Sequence, residues 1–191
     1  MTDTAAIRDI LDFWFLPLGD PEHAKPRKIW WESTPELDAE LRSRFGTLLD
    51  KAIAGELDAW RKSPDGALAL TVLCDQFPRN MHRRSARAFS ADAKARETAR
   101  YALARDYPAA YSNDMRLFFY MPFQHSEDLG DQELCCALFA ALLDETNTKY
   151  AIDHRDIVAR FGRFPHRNEV LGRASTAEEL DYLRTADRFG Q

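Results

Sequence analysis

Ser63-Pro64-Asp65-Gly66-Ala67-Leu68-Ala69-Leu70-Thr71-Val72-Leu73-Cys74 is the stretch whose reading decides the fold. Serine before proline is a cap and first-turn pair: the hydroxyl accepts from an early helical amide, and proline's missing N–H is not needed at that position. The run from Ala67 to Cys74 has no polar face, so a helix made from it must be covered on every side. It belongs in the middle of a stack of helices. Pro78 is expected to end it, because the residue before a proline is pushed out of the α region and the ring cannot continue the hydrogen-bond ladder.

The segments on either side also read as helices. Ile7, Ile10, Leu11 and Trp14 recur at helical spacing, giving an amphipathic helix over residues 5–15 that ends near Pro17 and Gly19 before a loop. Thr34 and Pro35 open a second helix whose apolar face runs through Leu41, Phe45 and Leu49 to about Ala54. A short turn is expected over Glu56 to Arg61. Beyond Pro78, Ser90 is read as the cap of a helix from Ala91 to about Arg105, and Asn113 to about Tyr120 forms a short one before Pro122. Ser126 is read as the cap of a long helix to about Glu145, although Gly130 weakens its first turn. Tyr150, His154, Ile157, Val158 and Phe161 make the stripe of the next, closed by Gly162 and Pro165. Thr176 with Glu179 is a capping box opening the last. No stretch sustains the alternation of a strand. The expectation is an all-α antiparallel stack of helical hairpins in a single domain over residues 1–191.

Composition bounds the function. The 191 residues carry a net charge of -5, which argues against general nucleic-acid binding, since phosphate neutralisation wants a basic face. Cys74, Cys135 and Cys136 are odd in number and lack zinc-site spacing, which fits a reducing cytoplasm. The start, Met1-Thr2-Asp3-Thr4, has no signal-peptide character, and the longest apolar stretch, Leu134 to Leu143, is too short for a membrane span.

Short connections impose an up-and-down path, and that path gathers the loops 75–87, 121–128 and 160–168 at one end. Glu127, Asp128, Arg163, His166 and Arg167 then fall in one neighbourhood. Helix-end electrostatics accounts for part of this clustering, because acids suit helix N-termini and arginines C-termini. Asp75 is different, being a carboxylate near a helix C-terminus that requires a partner, for which Arg79 and Arg83 are candidates. His154 stands in an apolar stripe and reads first as a core histidine. Trp14, Trp30, Trp31 and Trp60 read as core and groove packing.

Familiar catalytic signatures are absent. His125-Ser126-Glu127 has the form of a deaminase motif without its cysteine pair, and His154-Arg155-Asp156 spells a kinase triplet without its magnesium and glycine-rich partners. No P-loop, G-x-S-x-G, H-E-x-x-H or dinucleotide fingerprint occurs. His125, His154, His166, Asp75, Glu127 and Asp128 remain candidates for acid-base chemistry or for holding a metal through nitrogen and oxygen ligands. Arginine outnumbers lysine, and its planar fork suits bound anions.

Taken together, Asp12-Phe13-Trp14-Phe15, Leu73 to Asn80, Tyr120 to Asp128, Arg160 to Asn168, Gly172-Arg173 and Ser175-Thr176 resemble the uncharacterised, mainly bacterial family catalogued as domain of unknown function nine hundred and twenty-four. The resemblance spans nearly the whole chain. It implies a fold similar to tetratricopeptide-type helical stacks, without the tetratricopeptide signature, and no established activity. Gln124 departs from the acidic residue usual in the family after Pro122-Phe123.

Two functional expectations follow, beside a third reading in which these polar groups form a purely structural network. One is a binding module holding a small anionic molecule or a peptide through Asp75, Arg79, Asn80, Arg163, His166, Arg167 and Asn168. The other is a hydrolase with His125 or His154 as base and Glu127 or Asp128 as orienting carboxylate or metal ligand. No cofactor and no resident metal is expected. The oligomeric state is left open.

Overall fold

A computed structural model describes residues 3–186; Met1, Thr2 and residues 187–191 of the expected 1–191 domain lie outside the described residues. The helices are α1 (Asp3–Phe15), α2 (Pro35–Ile53), α3 (Pro64–Met81), α4 (Asp92–Leu103), α5 (Asn113–Gln124), α6 (Leu129–Ala141), α7 (Glu145–Phe161) and α8 (Ala177–Tyr182), with no strand among the described residues. Each helix from α2 to α6 packs on the next, and α1 packs on α3. None is long and apolar enough to cross a membrane.

The central helix is α3. Ser63 caps it by accepting from the Gly66 amide, and every residue from Gly66 to Arg79 is buried. Its neighbours are α1, α2, α4 and α5, which is why it can afford no polar face. Trp14, Phe45, Phe77 and Phe118 meet there in edge-to-face and tilted contacts with centroids 5.0 to 5.9 Å apart.

Two prolines do not act as the sequence suggests. Pro78 lies inside α3, which runs on to Met81, and Pro122 lies inside α5, which runs on to Gln124 rather than stopping near Tyr120. A proline inside a helix costs about 3 kcal/mol in isolation. Both sit in fully buried stretches, where packing on all sides outweighs that local cost.

Two capping expectations are also corrected. Ser90 does not cap α4; its hydroxyl donates to the Arg87 carbonyl at 2.8 Å, closing a short 3-10 turn at Ala86–Phe89, and α4 begins only at Asp92. Likewise Asp128, not Ser126, caps α6, accepting from the Asp131 amide at 2.9 Å. The helix expected to reach about Glu145 ends at Ala141, and Glu145 already belongs to the next helix, α7. Leu143 turns the chain with a φ of +56°, and Asp144 caps α7 through the Asn147 amide. Thr34, Gly162 and the Thr176–Glu179 capping box stand where their sequence signals place them.

The segment between α1 and α2 folds back over the core. Trp30 is buried against Phe15 and Phe118, and its indole N–H donates to the Trp14 carbonyl at 2.8 Å. Arg27 adds bonds to the Phe13 and Trp14 carbonyls, so the segment is tied to the end of α1.

Candidate functional site: an imidazole–carboxylate pair in a cavity

The three loops around residues 75–87, 121–128 and 160–168 meet in space. Their junction begins at Asp75, which is 1% exposed on α3. Both of its carboxylate oxygens lie within hydrogen-bond reach of His125 Nδ1, at 2.8 and 3.0 Å, and one also accepts from the Gln76 amide at 2.5 Å. Arg79 Nη1 stands 3.5 Å from the carboxylate and 2.5 Å from the Asp75 carbonyl. Burial pushes the Asp75 carboxyl up, but His125 and Arg79 outweigh it and bring the group down to about 2.

His125 follows the last turn of α5. Burial and then the nearby Arg79 charge lower its pKa, so the ring is neutral at neutral pH. Asp75, an acceptor only, fixes the proton on Nδ1. Nε2 consequently carries the lone pair. His154, on α7, is 6.5 Å away ring to ring. Burial lowers its pKa to about 4, and its Nδ1 lies 2.7 Å from the Tyr150 carbonyl and 3.2 Å from the Gln124 side-chain amide. It is a core histidine that also forms part of a wall.

That wall belongs to a cavity of about 690 Å³. Its lining includes Gln76, Arg79 and Asn80 from α3 and Leu117, Met121 and Gln124 from α5, with His125 just past the end of the latter. Pro26, Ile29, Trp30 and Trp31 line it from the segment after α1, and Tyr150 and His154 from α7. Among the described residues, no group of three or more His, Cys, Asp or Glu side chains is arranged to hold a metal ion.

Of the residues singled out in the sequence, Arg79, Asn80, His125 and His154 line this cavity, and Asp75 stands directly behind His125. The others form a separate clasp around Phe164. Glu127 accepts from Arg173 at 2.6 and 2.9 Å and from the Phe164 amide at 2.8 Å; burial opposes its charge, but these bonds hold its carboxyl below the ordinary range. Asp128 is occupied as a helix cap. Arg163 pairs with Glu179 at 2.6 and 2.8 Å, and Asn168 bonds Ser175 and Arg173. The Arg167 guanidinium lies between the rings of Phe89 and Phe164, donates to the His125 carbonyl at 3.0 Å and faces Asp92 at 3.7 Å. His166 stacks on Phe164, and burial followed by the Arg167 charge lowers its pKa to about 3.

Sequence reasoning missed Gln76 altogether and the cavity role of Arg83, Gln124, Tyr150, Trp30 and Trp31. The family departure at Gln124 was the one available signal among these; the tryptophans read as packing, and their position depends on how the 26–33 segment folds back.

A bundle of helical hairpins with an imidazole–carboxylate pair set in its cavity is the class that this geometry defines. The chain belongs to the family described as bacterial protein of unknown function (DUF924), whose pattern matches residues 10–187. It is similar in structure to a protein of unknown function from Agrobacterium tumefaciens, with 39% sequence identity and a TM-score of 0.87, over 97% of this chain and 100% of that one. No functionally curated protein matches the sequence.

Proposed function

We propose that the cavity is the active site of a small-molecule hydrolase in which His125 is the general base and Asp75 its positioning residue. The observation that carries this reading is the contact of 2.8 Å between Asp75 and His125 Nδ1, with the imidazole on the cavity wall. In such a pair the carboxylate holds the ring in one tautomer and stabilises the imidazolium once it forms. Nε2 would take a proton from water as the water oxygen attacks the substrate's electrophilic centre. The imidazolium would then return that proton to the leaving group as its bond breaks, so that one water is consumed and His125 is restored.

The sequence expected an anionic ligand held by arginines, but the arginines on the cavity wall are already engaged. Arg79 makes two bonds to Asp92, at 2.9 and 3.1 Å, and Arg83 bonds Asp38 at 3.0 Å and Asn80. This weighs toward catalysis on an uncharged group over capture of an anion. The hairpin stack, which we read as tetratricopeptide-like, supplies the rigid frame. The free thiols Cys74, Cys135 and Cys136 favour a reducing compartment such as the cytoplasm.

A panel of 4-nitrophenyl esters tests the proposal. Turnover is expected in the wild type, to fall about 100-fold or more in His125→Gln, and to fall in Asp75→Asn with a changed pH profile. Equal turnover in His125→Gln and the wild type, or none on any ester in the panel, would overturn it.

A further inference from the structure

We propose that the molecule this site accepts has a flat apolar body and no negative charge, and that its body lies against Trp31 and Tyr150 while its polar group reaches toward His125. The inference rests on the reading of the cavity as a small-molecule site and names the kind of molecule that fits it.

Three observations carry it. First, Trp31 is 55% exposed and Tyr150 is 48% exposed, although both line the cavity. Large rings left wet on a cavity wall are surface that a ligand can remove from water. Second, the Trp31 ring is braced by a buried neighbour. Trp30 meets it edge to face at 6.3 Å and is itself pinned by Phe118 at 5.0 Å and by the Trp14 carbonyl, so a ligand would find a formed platform and would not have to order one. Ile29, Leu117 and Met121 continue the apolar lining.

Third, the charge on the wall is wrong for an anion. The cationic side chains there, Arg79 and Arg83, are bonded to Asp92 and Asp38, and an anion would have to compete with those carboxylates. Glu32, Asp114 and Asp144 line the same cavity. The histidines add no positive charge at neutral pH. An anion entering here would lose its hydration and meet acids.

Two dyes sharing one aromatic skeleton separate these requirements without any reliance on turnover. N-phenyl-1-naphthylamine is uncharged, and 1-anilinonaphthalene-8-sulfonate adds a single negative group. Fluorescence titration of the full chain at neutral pH is expected to give at least about tenfold tighter binding of the uncharged dye. Trp31→Ala is expected to weaken that binding about tenfold, and Tyr150→Ala to weaken it in the same direction. Because Trp31 and Tyr150 are exposed, the variants should keep the helical circular dichroism of the wild type, which is checked alongside. Equal or tighter binding of the sulfonate overturns the charge requirement. Failure of the uncharged dye to bind, or full binding in Trp31→Ala, overturns the platform. A chain that binds the uncharged dye yet hydrolyses no ester refutes the catalytic reading alone.

Discussion

His154 and His166 are held neutral by burial, with pKa values lowered to about 4 and about 3. In the unfolded chain each would titrate near the ordinary histidine value of about 6.5. Below that value the unfolded state binds protons that the folded state refuses, so the stability they contribute is present above about pH 6.5 and is lost as pH falls toward the folded values. Asp75 acts in the same direction over a lower window. Its folded value of about 2 lies below the ordinary carboxylate range, so its contribution is lost only as pH falls below about 4. Urea unfolding midpoints are therefore expected to start dropping in the window below about pH 6.5, through the imidazoles, with the depressed carboxylates Glu127 and Glu179 adding to the loss only below about pH 5. Replacing His154 by Gln should flatten that decline. A midpoint that stays level through the window in the wild type would show that the imidazoles are not kept neutral by the fold. Asp75 and His154 were the residues that helix-end electrostatics did not explain in the sequence. The reason is now physical: one supports an imidazole, and the other combines a core position with a place on the cavity wall.

Helix existence was readable from apolar spacing and cap chemistry, but helix ends were readable only where a local interaction decides them. Thr34, Ser63, Gly162 and Thr176 act through bonds to amides or a left-handed turn within a few residues, and each stands where its sequence predicts. Pro78 and Pro122 mislead because their local cost is offset by burial contributed by other helices, which no local pattern records. Gly66 makes a sharper test of what the element requires. A Cβ there would stand 2.1 Å from the Trp60 carbonyl oxygen and 2.8 Å from Ser63 Oγ, in the first turn of α3. Gly66→Ala is expected to destabilise the fold by about 1–3 kcal/mol or more, because the obstruction is backbone and cannot rotate away. Gly46, on α2, meets nothing within 4 Å. Gly46→Ala should be neutral or stabilising by up to about 1 kcal/mol. Chemical denaturation of the two variants side by side checks both, and similar effects from the two would refute the close approach.

At the scale of the molecule, alternating short helices bring residues far apart in sequence to one end, and the path alone indicated which loops would meet. It could not say which charges would pair. Glu127 was a candidate for chemistry because it shares the His125 loop, yet its carboxylate is turned to Arg173 and to the Phe164 amide and ties the segment after α7 to the α5–α6 connection. It does not line the cavity. Its loss is thus expected to act on the attachment of that segment and not on the reaction. Glu127→Ala leaves the Phe164 amide and the Arg173 guanidinium without their acceptor, a partly buried loss of about 1–3 kcal/mol. Hydrogen exchange should quicken at the Phe164 amide and over residues 163–176, while α3 and α5 keep their protection. Ester turnover should fall far less than in His125→Gln, since Glu127 reaches the site through other residues, among them Arg167 with its bond to the His125 carbonyl and Phe164 with its ring against His154. A drop in turnover as deep as that of His125→Gln, with exchange unchanged over 163–176, would return Glu127 to the chemistry and make the clasp around Phe164 part of the site.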